Sequence, residues 1–143
     1  AAGAKLPLGG TALISVNKND RAGALEVAKQ FRELGFHIVS TEGCAKYFME
    51  NGLECEMLKK LQEGRPNIYD AMVNGKIDLI VNTPAGKQSK YDDSYLRKTA
   101  INKKIPYITT ISAALASAKG IKAVITKETA TLKSLQEYHK SLD

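Results

Sequence analysis

Residues 36–47 read FHIVSTEGCAKY, in which an apolar run ends in STEGC (residues 40–44) immediately before a helical pattern. The apolar run is typical of a buried strand, and the small and hydroxyl residues indicate a turn into a helix. Such a turn has two explanations. Its side chains can cap the helix, or the free N–H groups at the helix start, approached closely at Gly43, can bind an anion. The pattern alone leaves both explanations open.

The same alternation of strand and helix patterns continues along the chain. Strands are predicted over residues 11–16, 36–39, 55–58, 78–81 and 105–109, with a short edge strand over 123–125. Helices are predicted from an N-cap at Asn19 or Asp20 to Gly35, over 45–50, over 67–74, from Asp92 or Asp93 to about residue 103, over 112–118 and over 132–140. This order predicts an α/β fold, a single doubly wound parallel sheet of about five strands with helices on both faces.

The composition fits one compact domain of 143 residues, 43% of them hydrophobic. We interpret residues 1–10 (AAGAKLPLGG) as a linker remnant and residues 11–143 as the domain. The sequence contains no apolar run long enough to span a membrane, so no membrane partner is predicted. Its two cysteines, Cys44 and Cys55, lack the spacing of metal ligands. We therefore predict a cytoplasmic, reducing setting and no metal site.

The net charge of +6 comes largely from lysines that are scattered along the sequence. Such lysines are explained by solvated helix faces, and small anionic ligands are the other interpretation. Because no basic tract is interleaved with aromatic residues, nucleic acid is not predicted as a partner.

Ligands of open parallel α/β sheets bind beyond the carboxyl ends of the strands. The segments that follow the five strands are 17–21, 40–44, 59–65, 82–86 and 109–112. They offer hydroxyls, amides and cations, among them Lys60 and Arg65, which could add charge to an anion at residues 41–43. His37 lies inside a strand pattern, His139 lies near the C-terminus, and Cys44 has no histidine nearby in sequence. No catalytic residue is therefore predicted.

Several longer stretches resemble one family. They are LPLGGTALISVNKND (6–20), GFHIVSTEG (35–43), LKKLQEGRPNIYDAMVNGKIDLIVNTPAG (58–86) and LRKTAINKKIPYITT (96–110). In this order they resemble the methylglyoxal-synthase-like domain family, and most closely its members at the C-terminus of carbamoyl phosphate synthetase large subunits. The resemblance extends over nearly the whole chain.

The resemblance implies a regulatory domain that binds UMP as an inhibitor, and possibly IMP, with the phosphate at the helix that follows the second strand. The positions implied for effector binding are Arg21, Thr41, Gly43, Cys44, Lys60, Asn82 and Thr83. Arg21 stands where lysine is usual in the family. Cys44 and Pro84 stand where we expect hydroxyl residues, and these substitutions leave the identity of the effector open.

The resemblance also implies an ornithine-type activator site at the boundary with the rest of a longer protein. Tyr107 and Thr109 match its contacts on this side. The longer protein would be a glutamine-hydrolysing carbamoyl phosphate synthetase, a ligase of pyrimidine and arginine biosynthesis that uses ATP with Mg or Mn. Its other synthetase domains and a glutaminase small subunit would be partners, and this domain would itself hold no cofactor.

Two alternatives come from other members of the family. A methylglyoxal-synthase-type lyase needs an aspartate where this sequence has Arg65, and a histidine in the loop after the fourth strand, where none occurs. The form activated by N-acetylglutamate uses a tryptophan, which this chain lacks, and an asparagine where Ala85 stands. A domain that serves mainly subunit association, as a homo-oligomer, remains compatible with the regulatory interpretation.

Overall fold

The computed structural model describes residues 7–59, 67–83 and 89–142. Five strands form one sheet: β1 (Thr11–Ser15), β2 (His37–Thr41), β3 (Glu56–Leu58), β4 (Leu79–Asn82) and β5 (Tyr107–Ile108). The helices are α1 (Arg21–Glu33), α2 (Glu42–Glu50), α3 (Ile68–Val73), α4 (Ser89–Asn102) and α5 (Ile111–Leu142), and a 3-10 turn (Lys18–Asp20) precedes α1.

The sheet has the order β3-β2-β1-β4-β5, and all four strand pairings are parallel. β1 is the central strand, with Ile14 opposite Ser40 of β2 and Ser15 opposite Asn82 of β4. The predicted doubly wound α/β fold is therefore confirmed.

Successive residues of each strand alternate between two apolar layers, one on each face of the sheet. Ile14 of β1 packs in a layer with residues of α1, α2 and α5, whereas its neighbour Leu13 packs in a layer with residues of α3 and α4. Both side chains are fully buried. Burial on both faces explains why the strands are nearly continuous apolar runs in the sequence.

Four helices end in the same backbone motif, in which the helix closes through a residue in the left-handed region. Gly35, Gly52 and Gly75 occupy this position after α1, α2 and α3, with φ of 98°, 82° and 72°. After α4 the position is held by Lys104, with φ of 57°. The three glycines were predicted from the sequence to end their helices, whereas Lys104 carries no such signal.

The predicted edge strand over residues 123–125 is wrong, because α5 continues without interruption from Ile111 to Leu142. The predicted helices over 112–118 and 132–140 are parts of this one helix. Ala114, Ala118, Ile121 and Ile125 pack on the layer that contains α1. Their spacing of three or four residues is helical, so packing overrides the β-propensity of Val124 and its neighbours.

The predicted start of α1 is confirmed, because Asp20 occupies its N-cap position, although the Asp20 side chain makes no capping hydrogen bond. The side chain of Asn17 instead accepts a hydrogen bond from Asp20 N at 3.0 Å. Two other helix starts differ from their predictions. Helix α2 begins at Glu42 rather than at residue 45, and α4 begins at Ser89 rather than after Asp92 or Asp93. The predicted Asn67 cap is confirmed, since Asn67 and Asp70 form a reciprocal capping box at α3.

Within the described residues, no helix combines the length and the apolar character needed to cross a membrane. The interpretation of residues 1–10 as a linker remnant stays a prediction, because residues 1–6 lie outside the described part of the chain.

Candidate functional site

The strand order reverses direction between β1 and β4, which is where ligands bind in open parallel sheets. The carboxyl ends of β1, β2 and β4 meet at one edge of the sheet, which we call the carboxyl edge. Helices α1 and α2 begin at this edge, so their free N–H groups face the same region.

The end of β1 is bound to both neighbouring strands at the carboxyl edge. On one side, the hydroxyls of Ser15 and Thr41 lie 3.2 Å apart. On the other side, the backbone N–H of Asn17 donates to the hydroxyl of Thr83 at 3.0 Å, and Thr83 N–H donates to the carbonyl of Ser15 at 3.2 Å. These bonds hold three strand ends in a fixed arrangement.

Cys44 contributes a further link between β1 and α2. Its sulfur accepts a hydrogen bond from Val16 N–H at 3.4 Å and donates to the Val16 carbonyl at 3.5 Å. The residue is 2% exposed. The geometry gives Cys44 a structural role, and direct contact between its sulfur and a ligand stays a prediction.

The guanidinium of Arg21, the first residue of α1, lies directly over Gly43 in the first turn of α2. A Cβ atom built on Gly43 would overlap this guanidinium. Arg21 Nε is buried, and within the described part of the chain it has no hydrogen-bond partner and forms no salt bridge. A cation is therefore placed against the positive end of a helix dipole. We call the space beside Arg21 and the first turn of α2 the anion site.

The capping explanation of residues 40–44 does not hold for Thr41. Thr41 occupies the N-cap position of α2, yet its side chain makes no capping hydrogen bond and contacts Ser15 instead. Ser40 is fully buried, and its hydroxyl has no partner among the described residues. The first N–H groups of α2 are thus not capped by Thr41.

The carboxylate in the first turn of α2 is directed to a cation of its own helix. Glu42 and Lys46 form an exposed salt bridge of 2.9 Å. The hydrogen bond to Lys46 and the positive charge of Lys46 lower the pKa of the Glu42 carboxyl below its ordinary value, and the same pair raises the pKa of Lys46.

On the other side of the carboxyl edge, Asn82 and Tyr107 form a short hydrogen bond. Asn82 Nδ2 donates to the phenol oxygen of Tyr107 at 2.6 Å. Arg97 of α4 stacks over the Tyr107 ring, with the guanidinium carbon 5.6 Å from the ring centroid. Asn82, which was predicted for the effector site, is therefore hydrogen-bonded to Tyr107, which was predicted for the activator side.

The structure places the described candidates at or near this edge. Arg21 and Gly43 contact each other, Thr41 reaches Ser15, Thr83 reaches Asn17, and Asn82 reaches Tyr107. Thr109 directly follows β5 and is partly buried. The predicted contributions of Lys60, Arg65, Pro84 and Ala85 lie outside the described residues, and their roles stay predictions.

Two residues that the sequence analysis did not single out, Ser15 and Arg97, belong to this arrangement. Ser15 is a hydroxyl residue at the end of β1, which is a signal that the sequence does carry. Arg97 carries none, because its place over Tyr107 depends on how α4 packs against the sheet.

Two other potentially catalytic groups among the described side chains, His37 and Cys55, lie apart from the site. His37 begins β2, at the opposite end of the sheet, and its Nε2 lies 3.0 Å from a carboxylate oxygen of Glu56. Burial, with a smaller effect of Cys44, raises the pKa of the Cys55 thiol. Among the described side chains, no group of three histidine, cysteine or acidic residues could hold a metal ion.

A family model and several relatives of known name agree on the family to which this chain is similar. A family model described as MGS-like domain matches residues 23–109. The carbamoyl phosphate synthase large chain of Archaeoglobus fulgidus is 45% identical over 143 positions, which cover 98% of this chain and 13% of that protein. The corresponding C-terminal section from Methanopyrus kandleri is 44% identical over 98% of this chain and 26% of its own length. This chain thus spans a small part of these relatives.

A solved structure supports the fold. The methylglyoxal synthase of Elizabethkingia anophelis NUHP1 superposes with a TM-score of 0.60, over 78% of this chain and 77% of that structure. Since the two sequences are only 12% identical, the likeness concerns the fold alone.

Proposed function

This chain belongs to the MGS-like domain family, and we propose that it is an allosteric regulatory domain that binds a nucleoside monophosphate at the anion site. UMP is the proposed inhibitor, and IMP is the alternative nucleotide. The observation that carries the proposal is the convergence of the Arg21 guanidinium and the start of α2, two positive groups whose repulsion a bound phosphate would relieve.

The hydrogen-bonding capacity of this region supports a phosphate. Arg21 Nε needs an acceptor, and the first N–H groups of α2 lack a cap from Thr41. A phosphate supplies three acceptor oxygens and a charge, and charge-assisted hydrogen bonds are about twice as strong as neutral ones. The buried hydroxyl of Ser40 is a further donor close to the same strand end.

The regulatory effect would be a coupling free energy between this site and the rest of a longer protein. Such couplings are typically about 1–3 kcal/mol. UMP would favour a state of low synthetase activity, because it would bind that state more tightly than the active one. The similarity to carbamoyl phosphate synthase large chains, of which this chain spans 13% to 26%, supports the assignment of the longer protein.

We extend the proposal to the activator and the partners. Tyr107 and Thr109 would form one side of an ornithine-type site, completed by the adjoining synthetase domains. The longer protein would be a cytoplasmic, glutamine-hydrolysing ligase of pyrimidine and arginine biosynthesis. It would use ATP with Mg or Mn and assemble with a glutaminase small subunit, while this domain would need no cofactor of its own.

Calorimetric titration of the 143-residue chain with UMP and IMP, at low and moderate salt, tests the nucleotide site. We expect saturable binding that weakens as salt increases. Arg21→Gln should reduce the affinity for UMP about 10- to 100-fold, because a hydrogen bond between charged groups is lost. Lys18→Gln removes an exposed cation from the preceding turn and is the matched control. Equal losses in the two variants would contradict the anion site.

Turnover of dihydroxyacetone phosphate tests the lyase alternative. Removal of a proton from the substrate needs a base at the carboxyl edge. The two carboxylates described there already have partners, since Asn17 Nδ2 donates to Asp20 at 2.8 Å and Glu42 pairs with Lys46 at 2.9 Å. We therefore expect no methylglyoxal formation above the buffer rate. Light scattering with and without UMP separately tests whether the domain serves subunit association.

A further inference from the structure

We infer that Arg97 is a positioning residue for the nucleotide site, and that it acts through the phenol of Tyr107 on the amide of Asn82. No sequence pattern and no family match assigns a role to Arg97. The inference rests on the proposed function, because it takes Asn82 to belong to the nucleotide site and Tyr107 to belong to the activator site.

The register of the sheet explains how Tyr107 reaches Asn82. Tyr107 lies opposite Ile80, two residues before Asn82 on the same strand. Residues two apart point to the same face of a sheet, so the Tyr107 ring extends along β4 towards the carboxyl edge. The resulting 2.6 Å bond from Asn82 Nδ2 fixes one end of an amide that is only 5% exposed.

Arg97 in turn determines where the Tyr107 ring can lie. The guanidinium is within the range of a cation–π contact, at 5.6 Å from the ring centroid. The backbone of Arg97 is held in place by its neighbours on α4, since Leu96 and Ala100 are 5% and 0% exposed. The aromatic ring is therefore bounded by the sheet on one side and by a cation on the other.

This arrangement makes Tyr107 common to both effector sites. A nucleotide that contacts Asn82 and an amine that contacts Tyr107 would both depend on the same hydrogen bond. Arg97 would tune the response to both effectors without touching either, because it sets the orientation of the ring that the two sites share.

Calorimetric titration with UMP tests the inference through matched variants. Arg97→Gln should weaken UMP binding about 2- to 5-fold, the range of an exposed cation–π contact. Tyr107→Phe keeps the ring and removes the hydroxyl, and it should weaken binding about 3- to 10-fold. Arg97→Lys retains the charge and should restore part of the affinity. Lys98→Gln, the adjacent exposed cation, is the control and should change the affinity only slightly.

A double-mutant cycle separates positioning from a general loss of structure. In an Asn82→Ala background, neither Arg97→Gln nor Tyr107→Phe should weaken UMP binding further, because both act through the absent amide. Undiminished losses in that background would overturn the inference.

Nuclear magnetic resonance gives a readout that does not depend on any ligand. The side-chain amide signals of Asn82, assigned by their loss in Asn82→Asp, should shift in Tyr107→Phe and in Arg97→Gln but not in Lys98→Gln. If the unmodified chain does not bind UMP, the nucleotide site is refuted, whereas these signals still decide whether Arg97 positions the amide. Signals that do not respond to Arg97→Gln would refute the positioning role.

Discussion

The importance of Gly43 lies in the room that its missing side chain leaves for Arg21, because the Gly43 backbone itself has ordinary helical geometry. The sequence suggested that this glycine lets a ligand approach the backbone closely. In the structure, the space left by the missing Cβ is filled by the guanidinium of Arg21. The glycine and the arginine therefore act together, and the ligand would meet the arginine first.

Replacement of Gly43 by alanine should change stability and binding in opposite directions. Alanine is the better helix former by about 1 kcal/mol, and the group that must give way is the end of a flexible side chain. We expect the melting temperature to hold or rise while UMP affinity falls about 5- to 20-fold, as the displaced guanidinium loses its charge-assisted hydrogen bond. Calorimetric titration and thermal unfolding measure the two effects.

Gly120→Ala is the matched control for this prediction. Gly120 lies within α5, and nothing lies within 4 Å of a Cβ built on it. The substitution should give the same gain in helix stability with no loss of UMP affinity. An equal loss of affinity in both variants would contradict the role of Gly43.

Apart from the positions that the family resemblance implies, individual site residues could be predicted only where a strand pattern fixes their position. Thr41 and Asn82 follow or end apolar runs, so the sequence places them at the carboxyl edge. The partners of these residues, Ser15 and Tyr107, depend on strand order and register, which arise from packing between distant segments. The contact of Arg21 with Gly43 could not be predicted either, because it depends on how the starts of α1 and α2 pack together.

At the scale of elements, helices α1 to α4 close through the same pair of backbone hydrogen bonds, and α4 is the one that does so without a glycine. The backbone after α4 closes through Lys104 N–H to the Ile101 carbonyl at 3.1 Å and Ile105 N–H to the Ala100 carbonyl at 2.8 Å. The helices that end at glycines show the equivalent pair of bonds. A lysine with φ of 57° carries the steric cost of a Cβ in the left-handed region, a cost that glycine avoids.

Lys104→Gly should therefore stabilise the domain by about 0.5–1 kcal/mol. The gain is smaller than the full steric cost, because glycine also makes the unfolded chain more flexible. Urea unfolding followed by circular dichroism measures the change. Lys103→Gly, at the neighbouring exposed position, should destabilise the domain, and stabilisation by both substitutions would argue against the conformational explanation.

The elements themselves could be predicted to different extents. Strands β1, β2 and β4 are long apolar runs, and their prediction needed no tertiary information. The segment 121–127 (IKAVITK) has a strand-like composition, yet it belongs to α5, because Ile121 and Ile125 pack on the same layer as Ala114 and Ala118. In a short segment like this one, only the packed structure decides between the two-residue period of a strand and the 3.6-residue period of a helix.

For the whole molecule, the central feature is a single sheet shared by two apolar layers. Leu13 and Ile14 are adjacent in the chain and belong to different layers. Neither layer can lose its packing without exposing the strands that support the other. We therefore expect the domain to unfold as one cooperative unit.

Leu13→Ala tests this expectation. Truncation of the fully buried side chain should cost about 2–5 kcal/mol. In a background that also carries Tyr47→Phe and Tyr138→Phe, tyrosine fluorescence reports chiefly on the α3 and α4 face, where Tyr69 and Tyr95 pack together. Pulsed thiol labelling of Cys44, in a Cys55→Ser background, reports on the opposite layer. Both probes should shift to the same lower urea midpoint, and a shift of the fluorescence transition alone would contradict shared unfolding.

The link between Cys44 and Val16 has a mechanical consequence. Its two contacts pass through a large, weakly polar sulfur atom at 3.4 and 3.5 Å, whereas β4 is joined to β1 through nitrogen and oxygen at 3.0 and 3.2 Å. A thiol is a weak donor and a weak acceptor, so small displacements change its energy little. The joint between β1 and α2 is therefore the more compliant of the two. We expect a phosphate at the anion site to displace α2 while β4 keeps its place.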